Sequence, residues 1–373
     1  MQKIVLVANT SWYLYNFRKL LLKEIIKSGF QLTIVTPYCE TYTERLLSEG
    51  YKVINWNLNR NSLNPFSSIF SIFELYKIFK NEKADIINNF TIKPCIYGTI
   101  SSYFFKVEKC INSITGIGSW YENNNKKIKL ILKLINPVLK IIFMRSNIIF
   151  TFQNKSDQEI FINKRYTLKS RTYLIEGSGI DSNFFKPKRL IKKDKKLIKI
   201  LFPARLIREK GIIELVEASE RIWKDQKTFV LLIAGEIDKG NYSSLTKIEK
   251  ERIQRNKNIK FLGHVEDMRK AYANCDFVVL PSWREGLSRS LIEASSMELP
   301  IITTNVPGCI DIVDDGVSGR IVTLKNVDEL EKNIRYALRD IKSFKKLGKN
   351  GRLKVLRRYE AKIINKSTIK LYS

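Results

Sequence analysis

The sequence holds a single histidine, and its five cysteines are scattered without a C-x-x-C pair. Zinc is held by clusters of nitrogen and sulfur ligands at close spacing, and no such set exists here. Unpaired, dispersed cysteines point to a reducing, cytosolic setting. No run of about 18 uncharged apolar residues is present, so no membrane span is expected. The first apolar run, Ile4 to Ala8, is short and ends at Asn9-Thr10-Ser11 without a small-residue cleavage site. It reads as a strand and not as a signal peptide. Acidic residues are scarce: Asp+Glu 37 against Lys+Arg 66 leave a net charge of +29. That surplus implies an anionic partner, either nucleic acid, an anionic membrane surface or phosphorylated substrates. The charge is dispersed and no nucleic-acid reader motif is recognisable, which argues against a basic nucleic-acid-binding protein.

What is present is a globular chain of 373 residues, 44% hydrophobic, long enough for two domains. Strand-like and helix-like segments alternate. Lys3–Ala8, Gln31–Thr36, Tyr51–Trp56 and Ala84–Asn88 read as strands, with helices at Phe17–Lys27, Thr43–Glu49 and Phe66–Lys80. Such alternation predicts doubly wound parallel sheets with helices on both faces. We expect a first domain over 1–180, a linker over 181–196 and a second domain over 197–350. A C-terminal helical segment, 351–373, is expected to pack back toward the first domain.

In this fold class ligands bind beyond the carboxyl ends of strands. Two such places in the first half are Trp12 to Arg18 and Asn88 to Pro94, both read as loops. They make Trp12, Asn16, Arg18, Thr91 and Lys93 acceptor-side candidates, unless the aromatic loops simply cover the sheet. Thr115-Gly116-Ile117-Gly118-Ser119 is either a tight turn or a close approach of backbone to a ligand, with Gly118 as the contact. The basic, apolar stretch Lys126 to Arg145 is either a crossover helix with solvated lysines or a helix lying in an anionic membrane interface.

The second half centres on P-S-W-R-E-G-L-S-R-S-L-I-E, residues 281–293, after the apolar run Phe277–Leu280. Amides of a new helix's first turn suit a phosphate oxygen. Ser288 or Ser290 can cap that helix, and Glu285 and Glu293 bracket the turn, carboxylates that accept well from ligand hydroxyls. Glu293 also fits a capping box with Ser290. Arg205 and Lys210, after the strand at 199–203, place a bidentate fork and a point charge where a diphosphate can lie, or are surface charges on a turn.

These motifs carry a resemblance. P-A-R-L-I-R-E-K-G, A-G-E, L-G-H-V, P-S-W-R-E-G-L-S-R-S-L-I-E-A and N-V-P-G-C, in this order, resemble the second domain of retaining glycosyltransferases of family 4, over roughly residues 198–322. N-T-S-W-Y-L-Y-N-F-R, N-F-T-I-K-P and T-G-I-G-S more loosely resemble members that extend lipid-linked saccharides in bacteria. The resemblance implies the GT-B fold, two Rossmann-like domains facing a central cleft. It implies transfer of a sugar from a nucleotide-diphosphate sugar, UDP before GDP-mannose, to a polyprenyl-diphosphate-linked saccharide. It assigns the donor diphosphate to Arg205 and Lys210, the donor sugar to Glu285 and the ribose to Glu293. Gly286, Leu287, Ser288 and Gly235 line the donor, and the turn with His264 and Val265 lies near the base, His264 being otherwise a plain turn residue. No metal is implied, and no D-x-D dipeptide occurs. The expected location is the cytoplasm, at the inner face of the plasma membrane. Two features depart from the family pattern: the first half has no histidine, and Asn9–Arg18 has no glycine. A soluble acceptor, or a GT-B sugar-nucleotide epimerase, are the alternative enzymes.

Overall fold

A computed structural model describes residues 1–58, 64–117, 136–187, 197–238 and 241–373. The chain forms two compact units, Met1–Gly179 with Ala361–Ser373, and Ile180–Glu360. The first unit is built on a seven-stranded sheet of β1 Lys3–Val7, β2 Gln31–Thr36, β3 Lys52–Asn55, β4 Ile86–Phe90, β5 Lys109–Ile114, β6 Ile148–Phe152 and β7 Thr172–Leu174, in the order β3-β2-β1-β4-β5-β6-β7. The second has six strands, β8 Ile198–Phe202, β9 Phe229–Ala234, β10 Ile259–Gly263, β11 Phe277–Leu280, β12 Ile301–Thr304 and β13 Gly319–Val322, in the order β10-β9-β8-β11-β12-β13. Every pairing within both sheets is parallel. Parallel strands covered on both faces are mostly apolar. F-V-L-L-I-A in β9 and F-V-V-L in β11 are buried along their whole length.

The strand orders fix where a ligand can sit. Winding reverses between β1 and β4 in the first sheet and between β8 and β11 in the second. At such a reversal the two connections leave in opposite directions and open a crevice at the carboxyl edge. The turns after β1, β4, β8 and β11 therefore border these crevices.

Three boundaries differ from the sequence reading. β4 runs to Phe90, so Asn88 and Asn89 are strand residues and not loop. The Asn88 amide is satisfied at both ends inside the fold, whereas Asn89 Oδ1 is buried without a partner. Ser113 Oγ donates to Asn88 Oδ1 at 2.9 Å, and Asn88 Nδ2 donates to the Tyr372 hydroxyl at 2.7 Å. On the opposite face Asn89 Nδ2 donates to Asn112 Oδ1 at 3.0 Å. Secondly, the stretch read as an aromatic loop is helical from Ser11: Thr10 Oγ1 caps it by accepting from Tyr13 N at 3.1 Å, and a π-helical turn, Leu14–Arg18, leads into the helix Lys19–Lys27. Trp12, Asn16 and Arg18 thus stand on helix. Thirdly, the return to the first unit comes at Ala361 and not at 351. Val355 and Tyr359 are fully buried in the second unit's core, which holds the intervening segment there. Phe185, expected in a linker, is also in that core, and Ser296 Oγ donates to its carbonyl at 2.7 Å. Residues 188–196 of the expected linker lie outside the described residues.

The returning helix Ala361–Ile369 brings Ile364, Leu371 and Tyr372 into the core beside Leu21, Leu22 and Ile25. Tyr372→Phe leaves the buried Asn88 amide without its acceptor. It should lower stability by about 1–3 kcal/mol, read as a reduced urea midpoint; an unchanged midpoint would show the hydroxyl to be dispensable.

Candidate active site

The turns after β8 and β11 are clasped together. Trp283 N donates to Glu209 O at 2.8 Å. Gly211 sits at φ 75, and a Cβ there would stand 2.1 Å from Pro281 O, so only glycine allows this approach. The closure brings Lys210 Nζ to 2.6 Å from Glu285 Oε1, with side-chain exposures of 17% and 11%. Ser282 Oγ donates to the same oxygen at 2.8 Å. Two of the three predicted catalytic residues therefore touch. An ammonium has three N–H donors, so one contact to Glu285 leaves capacity for an anionic oxygen.

The third, Arg205, stands on the same turn but faces the other way. Its guanidinium is ion-paired with Asp238 beyond β9. Gly235 lets these two turns cross, since a Cβ there would lie 1.9 Å from Ala204 O. Leu206 N then donates to Glu236 O at 2.9 Å. The β8 turn thus presents one cation toward β9 and one toward β11.

Among the amides of Gly286 to Ser288, that of Ser288 is already used within the fold. Ser288 N donates to Gly308 O at 3.2 Å, which corrects the expectation that its amide faces a ligand. Gly308 lies against this turn: a Cβ there would meet Gly286 O at 2.7 Å and Glu285 O at 2.8 Å. The Leu287 side chain is core. Ser288 holds the N-cap position of the helix Arg289–Ser296 but makes no side-chain cap bond. Behind the turn, burial and the nearby Glu285 charge push the Cys309 thiol up to about 12, so it stays protonated.

Glu293 is not part of a capping box with Ser290. Arg289 Nε donates to its Oε1 at 2.8 Å, and the Tyr272 hydroxyl donates to Oε2 at 3.2 Å. Burial raises the Glu293 carboxyl above its ordinary range, against the opposing pull of Arg289 and Tyr272. At the end of β10, Gly263 has φ 65 and His264 N donates to Glu236 Oε1 at 3.3 Å. The His264 side chain is exposed, and Val265 packs on the core.

In the first unit the β1 and β4 ends also meet. The Arg18 guanidinium lies 4.6 Å over the Phe90 ring, and its Nε donates to the Tyr13 hydroxyl at 2.8 Å. Arg18 is only 4% exposed, which makes it a strut in this corner and not an open surface charge. Thr91 has φ 73 and ψ 160, a conformation costing about 1–3 kcal/mol for a residue with a Cβ. Half-burial lowers the pKa of Lys93 just after it. Asn16 is exposed, its amide donating to Trp12 O at 2.9 Å, and Trp12 packs edge-on against Phe17 at 4.9 Å. Gly118 lies outside the described residues.

Sequence reasoning missed Asp238, Glu236, Tyr272 and Arg289. Arg289 left a local signal, one helical turn before Glu293, and Glu236 stands in the A-G-E motif. The others reach the site from separate elements. Gly308→Ala should cost about 1–2 kcal/mol through its positive φ alone and displace the Glu285 turn. We expect a lower melting temperature together with lost activity; full activity would show that the turn does not depend on this contact.

Residues 182–354 match the family model Glycosyl transferases group 1, and residues 3–154 match Glycosyl transferase 4-like. The chain is 29% identical over 370 residues to the N,N'-diacetylbacillosaminyl-diphospho-undecaprenol alpha-1,3-N-acetylgalactosaminyltransferase of Campylobacter jejuni, covering 96% of this chain and 95% of that one. It is 25% identical to the UDP-Gal:alpha-D-GlcNAc-diphosphoundecaprenol alpha-1,3-galactosyltransferase of Escherichia coli, covering 77% and 74%. Among solved structures, sucrose-phosphate synthase from Thermosynechococcus elongatus superposes with a TM-score of 0.81 at 17% identity, covering 100% of this chain and 98% of that one. Anabaena HepE in complex with UDP and glucose superposes with a TM-score of 0.77 at 17% identity, covering 100% and 99%. With paired parallel-sheet units and both family domains in place, the chain belongs to the glycosyltransferases of the GT-B fold that join a 4-like domain to a group 1 domain.

Proposed function

We propose that this glycosyltransferase moves a sugar from a UDP-sugar to a polyprenyl-diphosphate-linked saccharide, with retention of anomeric configuration and without a metal. The observation that carries the reading is the Lys210–Glu285 pair on the clasped β8 and β11 turns. Glycosyl transfer builds positive charge on the sugar and negative charge on the departing diphosphate. Lys210 stabilises the second, helped by the N-terminal turn of the helix Arg289–Ser296 and its dipole, and Arg205 joins it by exchanging Asp238 for a phosphate oxygen. These fixed cations occupy the role a divalent ion would otherwise fill. Glu285 accepts from hydroxyls of the donor sugar and holds Lys210 in place. It is not a covalent nucleophile in this scheme: the acceptor attacks on the face the diphosphate leaves from, and a phosphate oxygen takes its proton. Glu293, fixed by Arg289 and Tyr272, serves the ribose, and the Gly263–Val265 turn serves the base.

UDP is preferred over GDP because the E. coli relative's name specifies UDP-Gal and HepE binds UDP. The lipid-linked acceptor follows from the names of both relatives, each a diphospho-undecaprenol transferase. Trp12, Asn16, Thr91 and Lys93, at the first unit's reversal point, are proposed to serve that acceptor, with Arg18 as the buried strut behind them. No helix among the described residues is long and apolar enough to cross a membrane. Peripheral association with the cytoplasmic face of the plasma membrane, aided by the +29 charge, would bring enzyme and lipid acceptor together.

Lys210→Ala should lower kcat by about 10²–10³ while the fold survives; unchanged turnover would remove Lys210 from the mechanism. UDP should raise the melting temperature more than GDP does, with a strong chelator present, since a ligand that binds only the folded protein stabilises it. A shift that appears only when a divalent ion is restored would contradict the metal-free scheme.

A further inference from the structure

The helix Pro65–Glu82 is apolar on both sides. Its inward side is ordinary, with Leu75 and Phe79 fully buried. Its outward side carries Phe66, Ile69, Phe70 and Phe73, which are 73%, 63%, 73% and 53% exposed. Their spacing, i, i+3, i+4 and i+7, sets them in one stripe. Single exposed apolar residues are commonplace, whereas a contiguous stripe of this kind marks an interaction surface.

The stripe continues onto its neighbour. Ser68 and Tyr97 hydroxyls are 2.6 Å apart, and Ser101 Oγ donates to Ile72 O at 2.7 Å. The helix Ile92–Tyr103 therefore runs alongside in the same direction. By that register its end sets Tyr103 and Phe104, 48% and 70% exposed, level with the turn that follows Phe73.

The rim is cationic. Lys77 Nζ stands 4.6 Å over the Phe73 ring, Lys80 is exposed one turn further, and the Arg145 guanidinium lies 4.6 Å over Tyr103. The two carboxylates on the same helix have partners of their own, and Glu74 lines a cleft with Phe70, Phe73 and Lys77. Glu74 accepts from Asn57 N and Nδ2, both at 3.0 Å. Glu82 is tied to Thr33 and Lys52. Aromatic side chains ringed by Lys and Arg match an anionic bilayer at two depths: rings enter the acyl boundary while ammonium and guanidinium groups stay at phosphate level.

We propose that the outward face of Pro65–Glu82, extended by Tyr103 and Phe104, is where this enzyme enters an anionic lipid surface. The proposal rests on the reading that its acceptor is lipid-linked. It relocates the contact from the basic stretch 126–145 singled out in the sequence. Residues 126–135 of that stretch lie outside the described residues, and from the rest Arg145 joins the rim.

The test is co-sedimentation of the full chain with vesicles of phosphatidylglycerol and phosphatidylethanolamine, at low and high salt. The wild type should sediment with them, and Phe70→Ser/Phe73→Ser should partition about tenfold more weakly or worse at both salts. Lys77→Glu/Lys80→Glu should lose chiefly the binding that salt also removes. Both variants change exposed positions, so their melting temperatures should match the wild type. Wild-type sedimentation that the Phe variant retains would overturn this surface and leave the peripheral reading standing. A wild type that ignores the vesicles would overturn both. A wild-type dimer that the Phe variant converts to monomer, with vesicle binding unchanged, would assign the stripe to a second copy and overturn the proposal.

Discussion

One ion pair, Lys210 with Glu285, holds the second unit's reversal point together. Both side chains are largely shielded from water, so neither charge is cheaply left alone. Each therefore fixes the position of the other. Several backbone features exist to let them meet: Gly211 against Pro281, Trp283 N on Glu209 O, and Gly308 against Glu285 and Gly286. None of these contacts involves a large apolar side chain. They are close backbone approaches that a Cβ would block, which places specificity for this geometry in a few glycines.

The first unit uses the same topology with different chemistry at its reversal point. There the strand ends are filled with hydroxyls, amides and rings: Thr151 bonds Ser113, Ser113 bonds Asn88, and Asn88 bonds Tyr372. A buried cation there, Arg18, lies against the Tyr13 and Phe90 rings. A diphosphate wants fixed positive charge, which the second unit supplies on a turn. The first unit offers neutral donors and acceptors with a guanidinium held behind them. Two sheets of one kind thus carry surfaces of unlike polarity.

Much of this was legible in the sequence because parallel strands announce themselves as apolar runs, and Gly or Pro marks where they end. Those ends define a carboxyl edge, so Arg205 and Lys210 could be set on the same edge as the Glu285 turn from sequence alone, whereas the order of the strands could not. What stayed illegible has a common physical origin. Asn88 and Asn89 looked like a loop because amides are rarely buried, and only partners far along the chain, Tyr372 and Asn112, make their burial tolerable. Thr10 to Arg18 looked like a loop because aromatic clustering hid a helix that a single cap starts. Tyr272 and Asp238 reach the site through tertiary contacts that leave no trace in local spacing. The stripe on Pro65–Glu82 was visible as a helix, but which side faced outward depended on the sheet it covers.

The return of Ala361–Ser373 to the first unit has a bearing on biosynthesis. Domains emerging from the ribosome usually fold as they appear, the earlier one first. Here the earlier unit lacks Ile364, Leu371 and Tyr372 from its core until the entire later unit has been translated. Order of synthesis and order of completion are thus inverted. The nascent protein must carry an unfinished core, with the Asn88 amide waiting for its phenol, through the making of the second unit.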